Sequence, residues 1–210
     1  MDWLYRGGIL MAPILVFSVV ALGIFLERLW VLRRSLVLPE EQLRALENLL
    51  RKKMIPEART YCQQHPSPLT RILFAGLQQY GHLRHLIKEN MEERGKAEAL
   101  ELKKYIGLLH TIASVSPLLG LLGTVSGMIK VFSTISVEGA GDPASLATGI
   151  SEALITTAAG LTVAIPTFLG QRYLAGRAER LVHMLEEYAT YLLNLLPTSL
   201  LEGKGEEERR

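Results

Sequence analysis

The stretch from Val115 to Phe132, VSPLLGLLGTVSGMIKVF, restricts this chain more than any other. It is almost wholly apolar, and its small residues recur at helical spacing. Ser116, Gly120, Gly123, Thr124 and Gly127 fall at i, i+4, i+7, i+8 and i+11, which places them on one face of a helix. In lipid, small residues let two helix backbones approach closely, and hydroxyls can bond across the contact. The remaining positions are mostly Leu, Val, Ile and Met. One face is made for protein, and the others suit lipid or apolar packing.

Two more stretches have the same character. Ile9 to Leu26 runs eighteen residues without a charge, about 27 Å of helix, enough to cross a bilayer. It reads as a retained anchor and not a cleaved leader: no A-x-A site follows, and Glu27, Arg28, Arg33 and Arg34 come next. The third stretch contains ISEALITTAAGLTVAIPTFLG. With 49% hydrophobic residues over 210 positions, the expected fold is an all-α integral membrane protein. It has three transmembrane helices with long cytoplasmic helical extensions.

The divisions follow in order. Residues 1–35 form the outer amino end and the first span, and 36–104 a cytoplasmic helical domain. Residues 105–135 form the second span and 136–146 a periplasmic loop. Residues 147–196 form the third span with its cytoplasmic extension, and 197–210 a disordered tail. Within 36–104, helices are expected from Pro39 to about Lys52, from Pro56 to Gln64, and from Pro68 to Tyr80, closed by Gly81. Leu43, Leu46, Leu49 and Leu50 supply the apolar stripe of the first. From His82 no stop signal appears before the membrane run, so one long helix is expected from about His82 to about Ile135. SVEGAGDP is the loop signal that ends it, with Asp142 and Pro143 placed to start the next helix.

Orientation follows from the basic residues. Arg28, Arg33, Arg34 and Arg44 flank the first span, and Lys88, Arg94, Lys96, Lys103 and Lys104 precede the second. Arg172, Arg177 and Arg180 follow the third. The opposite side holds only Arg6 and Lys130. Under the positive-inside rule, the amino end and the 136–146 loop face the periplasm, and the carboxyl end is cytoplasmic.

A net charge of +2 gives no reason to expect nucleic acid. The single cysteine, Cys62, excludes an internal disulfide and reads as an inert thiol. His82 and His85 are an i+3 pair in a charged helix start, read as surface residues and not metal ligands. No cofactor is implied. No nucleophile–base pair or phosphate loop is present, so the chain is not read as an enzyme.

The polar residues within the spans are the candidates for function. Glu152 is the only acid in any span. Two readings stay open for it: a carboxylate wetted at the outer boundary, or a functional acid. Thr157 lies on a small-residue stripe with Gly149, Ala153, Gly160 and Ala164, and Thr156 lies on the neighbouring face. With the outer boundary near Ile150 and Phe132, Thr157 is about 10 Å deep and Thr124 about 12 Å. The two spans are antiparallel neighbours, so the threonines can meet at one level. A hydroxyl both donates and accepts, and can pass a proton through water or contact an ion without a fixed charge. It can equally bond back to its own helix. No acid or base lies mid-membrane in the second or third span, so a central titrating group would come from another subunit.

Three stretches carry a family resemblance: FLERLWVLRR, SPLLGLLGTVSGMIKVF and GISEALITTAAGLTVAIP. They resemble the MotA/TolQ/ExbB proton-channel subunits, and three spans with a domain between the first two are most similar to ExbB and TolQ. The resemblance implies a homopentamer whose second and third helices line a pore around a dimer of an ExbD- or TolR-like single-span partner. The partner's membrane aspartate would carry the proton. It further implies a motor in the cell inner membrane, driven by proton motive force, that serves protein transport or envelope integrity at the outer membrane. By position, Thr124 and Thr157 match the family's pore threonines, and Glu152 its glutamate in the third helix. Thr156 departs from ExbB and TolQ, which tend to have alanine there, and resembles sodium-driven stator subunits. A sodium-driven stator subunit and a passive membrane scaffold are the alternatives.

Overall fold

The structure is a computed structural model that describes residues 8–138 and 143–196. Eight helices are formed among the described residues: α1 Met11–Val31, α2 Arg34–Val37, α3 Glu40–Arg51, α4 Ile55–Gln64, α5 Pro68–Gln78, α6 Arg84–Lys103, α7 Ile106–Glu138 and α8 Pro143–Leu195. The expected helices of the 36–104 region are present within a residue or two, and α2 is an addition. Arg6, Asp142 as a helix cap and the 197–210 tail lie outside the described residues.

Two differences from expectation have physical causes. The single helix expected from His82 to Ile135 is broken. Lys104 is extended, with φ −53° and ψ 142°. Tyr105 follows in the left-handed region at φ 61°, and α7 restarts as the Leu109 amide bonds to the Tyr105 carbonyl. No glycine or proline marks the break. The Tyr105 ring lies 5.3 Å from the buried Arg28 guanidinium at the end of α1, a cation–π contact that favours this placement of the ring. The loop expected over 136–146 is shorter, because α7 continues through Glu138 and α8 begins at Pro143. Ser133 and Thr134 both donate to the Lys130 carbonyl, at 2.8 and 3.1 Å.

The chain divides into two units. One comprises Met1–Arg28 and Tyr105–Leu174, the other Leu29–Lys104 and Ala175–Arg210.

The first unit holds the apolar parts of α1, α7 and α8, each long and apolar enough to cross a membrane. Only 17% of the most apolar window of α1 is buried. Val19, Leu22, Leu118, Ile129, Phe132, Leu154 and Ile165 are all exposed. An apolar surface of this extent has lipid or other helices as its solvent. The chain is a multi-pass membrane protein.

The second unit has an ordinary soluble-type core. Leu46, Leu50, Leu69, Leu73, Met91, Leu181, Leu185 and Leu192 are buried within it. A capping box opens α5: the Ser67 hydroxyl accepts from the Thr70 amide, and the Thr70 hydroxyl accepts from the Ser67 amide at 2.7 Å. Gly76 lets α6 lie close to α5, since a Cβ there would come within 2.6 Å of Met91. Glu98 on α6 is buried and receives two bonds from Arg71 at 2.6 and 2.7 Å, and one ion pair from Arg94 at 2.6 Å. The α8 segment is tied on by Tyr191, whose hydroxyl donates to Glu47 at 2.7 Å. Arg177 also donates to the Leu32 carbonyl at 2.7 Å.

Candidate functional site

The small residues of α7 and α8 close on one another turn by turn. A Cβ at Gly160 would sit 2.6 Å from the Ser116 carbonyl oxygen, and one at Gly120 would sit 2.9 Å from the Thr157 Cα. Further along, a Cβ at Gly123 would lie 2.6 Å from the Thr156 Cβ, and one at Gly127 would lie 2.7 Å from the Ala153 Cβ. Gly149 meets Val131 in the next turn. The facing positions rise along α7 as they fall along α8, so the helices are antiparallel. Ser116 is fully buried, with its hydroxyl on the Ile112 carbonyl at 2.7 Å. Ser116, Gly120, Gly123, Gly127 and Gly160 therefore all lie in the contact. Gly170 serves α1 in the same way, against Phe25.

The two threonines read as a pair are anchored to consecutive carbonyls of α7. The Thr157 hydroxyl crosses from α8 to donate to the Gly120 carbonyl at 2.7 Å. The Thr124 hydroxyl donates back along its own helix to the Leu121 carbonyl, also at 2.7 Å. They therefore lie within a turn of each other along α7. Each hydroxyl gives up its one proton to a carbonyl and keeps its oxygen lone pairs to accept from water or another donor. Both residues are half-buried in the single chain.

Thr156 is placed differently. It is 1% exposed, its side chain packs on Gly123, and its hydroxyl donates to the Glu152 carbonyl at 2.9 Å. The Thr156 side chain is thus turned into the α7 contact, whereas Thr157 sits at the edge of it.

Glu152 is not isolated. Its Oε1 lies 3.3 Å from Lys130 Nζ on α7. Gly8, at φ +67°, packs so closely on this carboxylate that a Cβ there would overlap Glu152 Oε1. Lys130 entered the sequence reading only as a basic residue on the outer side. The available signal was that it is the only Lys or Arg in the apolar run of α7 and Glu152 the only acid in that of α8.

The carbonyl-bound hydroxyls keep lone pairs that can accept a hydrogen bond, and the ion pair places one carboxylate beside one ammonium. They include no nucleophile with an activating base.

Comparison with known proteins agrees with this architecture. Residues 64–187 match the model of the MotA/TolQ/ExbB proton channel family. A putative biopolymer transport protein ExbB-like 1 from Synechocystis sp. is 37% identical over 186 residues, covering 83% of this chain and 70% of the relative. Biopolymer transport protein exbB1 of Vibrio cholerae is 30% identical over 193 residues, covering 88% and 83%. The Tol-Pal system protein TolQ of Haemophilus influenzae is 36% identical over 107 residues, covering 49% and 46%. The chain belongs to the MotA/TolQ/ExbB proton channel family, on its ExbB/TolQ side, and such proteins are channel subunits and not enzymes.

Proposed function

We propose that this protein is the pore-lining stator subunit of a proton-driven motor in the cell inner membrane. It assembles as a homopentamer around an ExbD- or TolR-like single-span dimer and drives a transport or envelope task. The observation that carries this reading is the pair of hydroxyls, Thr124 and Thr157, bonded to consecutive carbonyls at 2.7 Å each. In a helix pair with no Asp, Glu, Lys or Arg between Lys130–Glu152 and the far end of the spans, these are oxygens that can accept from a travelling proton carrier. The titrating carboxylate then belongs to the partner. The relatives named for biopolymer transport and the Tol-Pal system support the same assignment. The basic residues flanking the spans support a periplasmic amino end and 136–146 loop, and cytoplasmic placement of 36–104 and the carboxyl end.

A sodium-driven stator is the second reading, because Thr156 adds a hydroxyl beside Thr157. The burial of Thr156 against Gly123, with its hydroxyl on the Glu152 carbonyl, favours the proton. A passive scaffold would use the small-residue face and ignore the hydroxyls.

The test is reconstitution with the partner in vesicles under an imposed proton gradient. The double variant Thr124→Ala/Thr157→Ala, assembled normally, is expected to lose proton flux. Unchanged flux removes the threonine relay, absence of flux in the wild-type complex leaves the scaffold reading, and flux that follows a sodium gradient leaves the sodium one.

A further inference from the structure

The lone cation of the α7 apolar run and the lone acid of the α8 run meet at 3.3 Å. Side-chain exposures are 63% for Lys130 and 26% for Glu152. An ion pair this open to its surroundings adds little stability, so its consequence is where it puts a charge. Glu152 precedes Thr157 by five residues, and Lys130 follows Thr124 by six on the antiparallel helix. At 1.5 Å per residue both lie about 8 Å from the threonine level, on the same side of it. Gly8, just ahead of α1, packs against the carboxylate. Three chain segments thus converge on one carboxylate oxygen, and the only cation among the described residues at ion-pair distance from it is Lys130.

We propose that Lys130 is a positioning residue. Its ammonium holds the Glu152 carboxylate at one end of the α7–α8 contact, where it collects positively charged species, hydronium or a hydrated monovalent cation, for passage along that contact. The proposal rests on the channel reading. Half-neutralised by Lys130, the carboxylate attracts a cation without trapping it. Without the lysine, Glu152 is free to leave the mouth, and collection is lost.

The experiment uses the full chain co-assembled with its partner in proteoliposomes, with an imposed pH gradient and an enclosed pH dye as probe. Lys130→Arg, which keeps the charge, is expected to retain most of the flux. Lys130→Met and Glu152→Gln are each expected to lose about tenfold, the low end of what focusing of charge contributes to capture. The double variant is expected to be no worse than either single one, because the two act as a unit. The exchange Lys130→Glu/Glu152→Lys restores the ion pair. It is expected to assemble normally and to stay at the reduced flux, since the carboxylate is now on α7. A purely structural pair would regain full flux on exchange, and that result overturns the proposal. So does wild-type flux in Lys130→Met. Should Lys130→Met fail to assemble, Glu152→Gln and the exchange carry the same decision. If Thr124→Val and Thr157→Val keep full flux while Glu152→Gln loses it, the threonine reading fails and this one stands. A wild-type complex with no flux removes both.

Discussion

The Thr157 hydroxyl reaches from one apolar helix to the backbone of the next, donating to the Gly120 carbonyl at 2.7 Å. The approach is possible because position 120 has no side chain: a Cβ there would stand 2.9 Å from the Thr157 Cα. A glycine and a threonine, read in the sequence as separate features of two spans, are therefore one feature. The glycine admits the helix, and the threonine both bonds the contact and leaves an oxygen at its edge.

That relationship separates three neighbouring threonines by substitution with valine, which keeps the shape and removes the hydroxyl. Thr157→Val is expected to cost about 1 kcal/mol of helix–helix stability, the usual worth of such a bond in a membrane. It is also expected to lower proton flux tenfold or more, on the order of what a lost proton-transfer group costs. Thr124→Val loses only a bond within its own helix, so flux falls and stability stays. Thr156→Val is expected to change neither, because its hydroxyl serves the Glu152 carbonyl and its methyl remains on Gly123. Flux in vesicles and thermal unfolding in detergent give the two readouts.

The glycines of the contact differ sharply from one outside it. An alanine at Gly160 would press its Cβ to 2.6 Å of the Ser116 carbonyl and 3.2 Å of the Gly120 Cα, both backbone, so neither neighbour can rotate away. Gly160→Ala is expected to cost about 1–3 kcal/mol by overpacking and to lower the thermal midpoint in detergent. Gly23, in α1, has nothing within 4 Å of such a Cβ. Gly23→Ala is expected to be neutral, or to stabilise by about 0.5–1 kcal/mol through helix propensity. Equal effects at the two positions would contradict the close α7–α8 packing at Gly160.

How far these features could be read from sequence depends on whether the signal is periodic. The face of Ser116, Gly120, Gly123 and Gly127 repeats at helical spacing, and all four fall in the α7–α8 contact. The level of the two threonines followed from counting residues in antiparallel helices. The break at Tyr105 was not legible. Its left-handed backbone is held by no glycine or proline, and the Arg28 ring contact joins residues far apart in the chain. The sequence places Thr156 only on the face next to the Thr157 stripe, because spacing alone does not say which of two adjacent threonines points into the partner helix. Lys130 and Glu152 were visible singly. Their pairing depends on helix rotation, which a sequence of one chain does not encode directly.

In the second unit the decisive charge is Glu98. Its side chain is 3% exposed, while Arg71 and Arg94 are 42% and 43% exposed. Removing the carboxylate therefore leaves two cations that water can still reach, and the penalty is smaller than for a fully buried pair. Glu98→Gln is expected to cost about 1–3 kcal/mol. The double variant Glu98→Gln/Arg71→Gln is expected to cost less than the sum of its parts, because the two side chains share one bidentate contact. Chemical unfolding of the full chain in detergent measures both.

Cys62 is buried on the inner face of α4, and burial pushes its thiol up to about 12. A thiolate is the reactive form, so alkylation by iodoacetamide at neutral pH is expected to be slow in the native chain and rapid after unfolding. The same shift makes stability depend on pH. The unfolded thiol releases its proton at about 8.5, whereas the folded one holds it to about 12. Between those values the folded state binds more protons than the unfolded state, so stability falls as pH rises. Below the lower value the thiol is protonated in both states, and its contribution is fully present. Cys62→Ala removes the titrating group at the cost of a small cavity. Its unfolding midpoint is expected to be lower than that of the wild type at pH 7 and to decline less steeply from pH 8.5 to 10. A wild-type midpoint with the same slope as the alanine variant over that range would place the thiol in water.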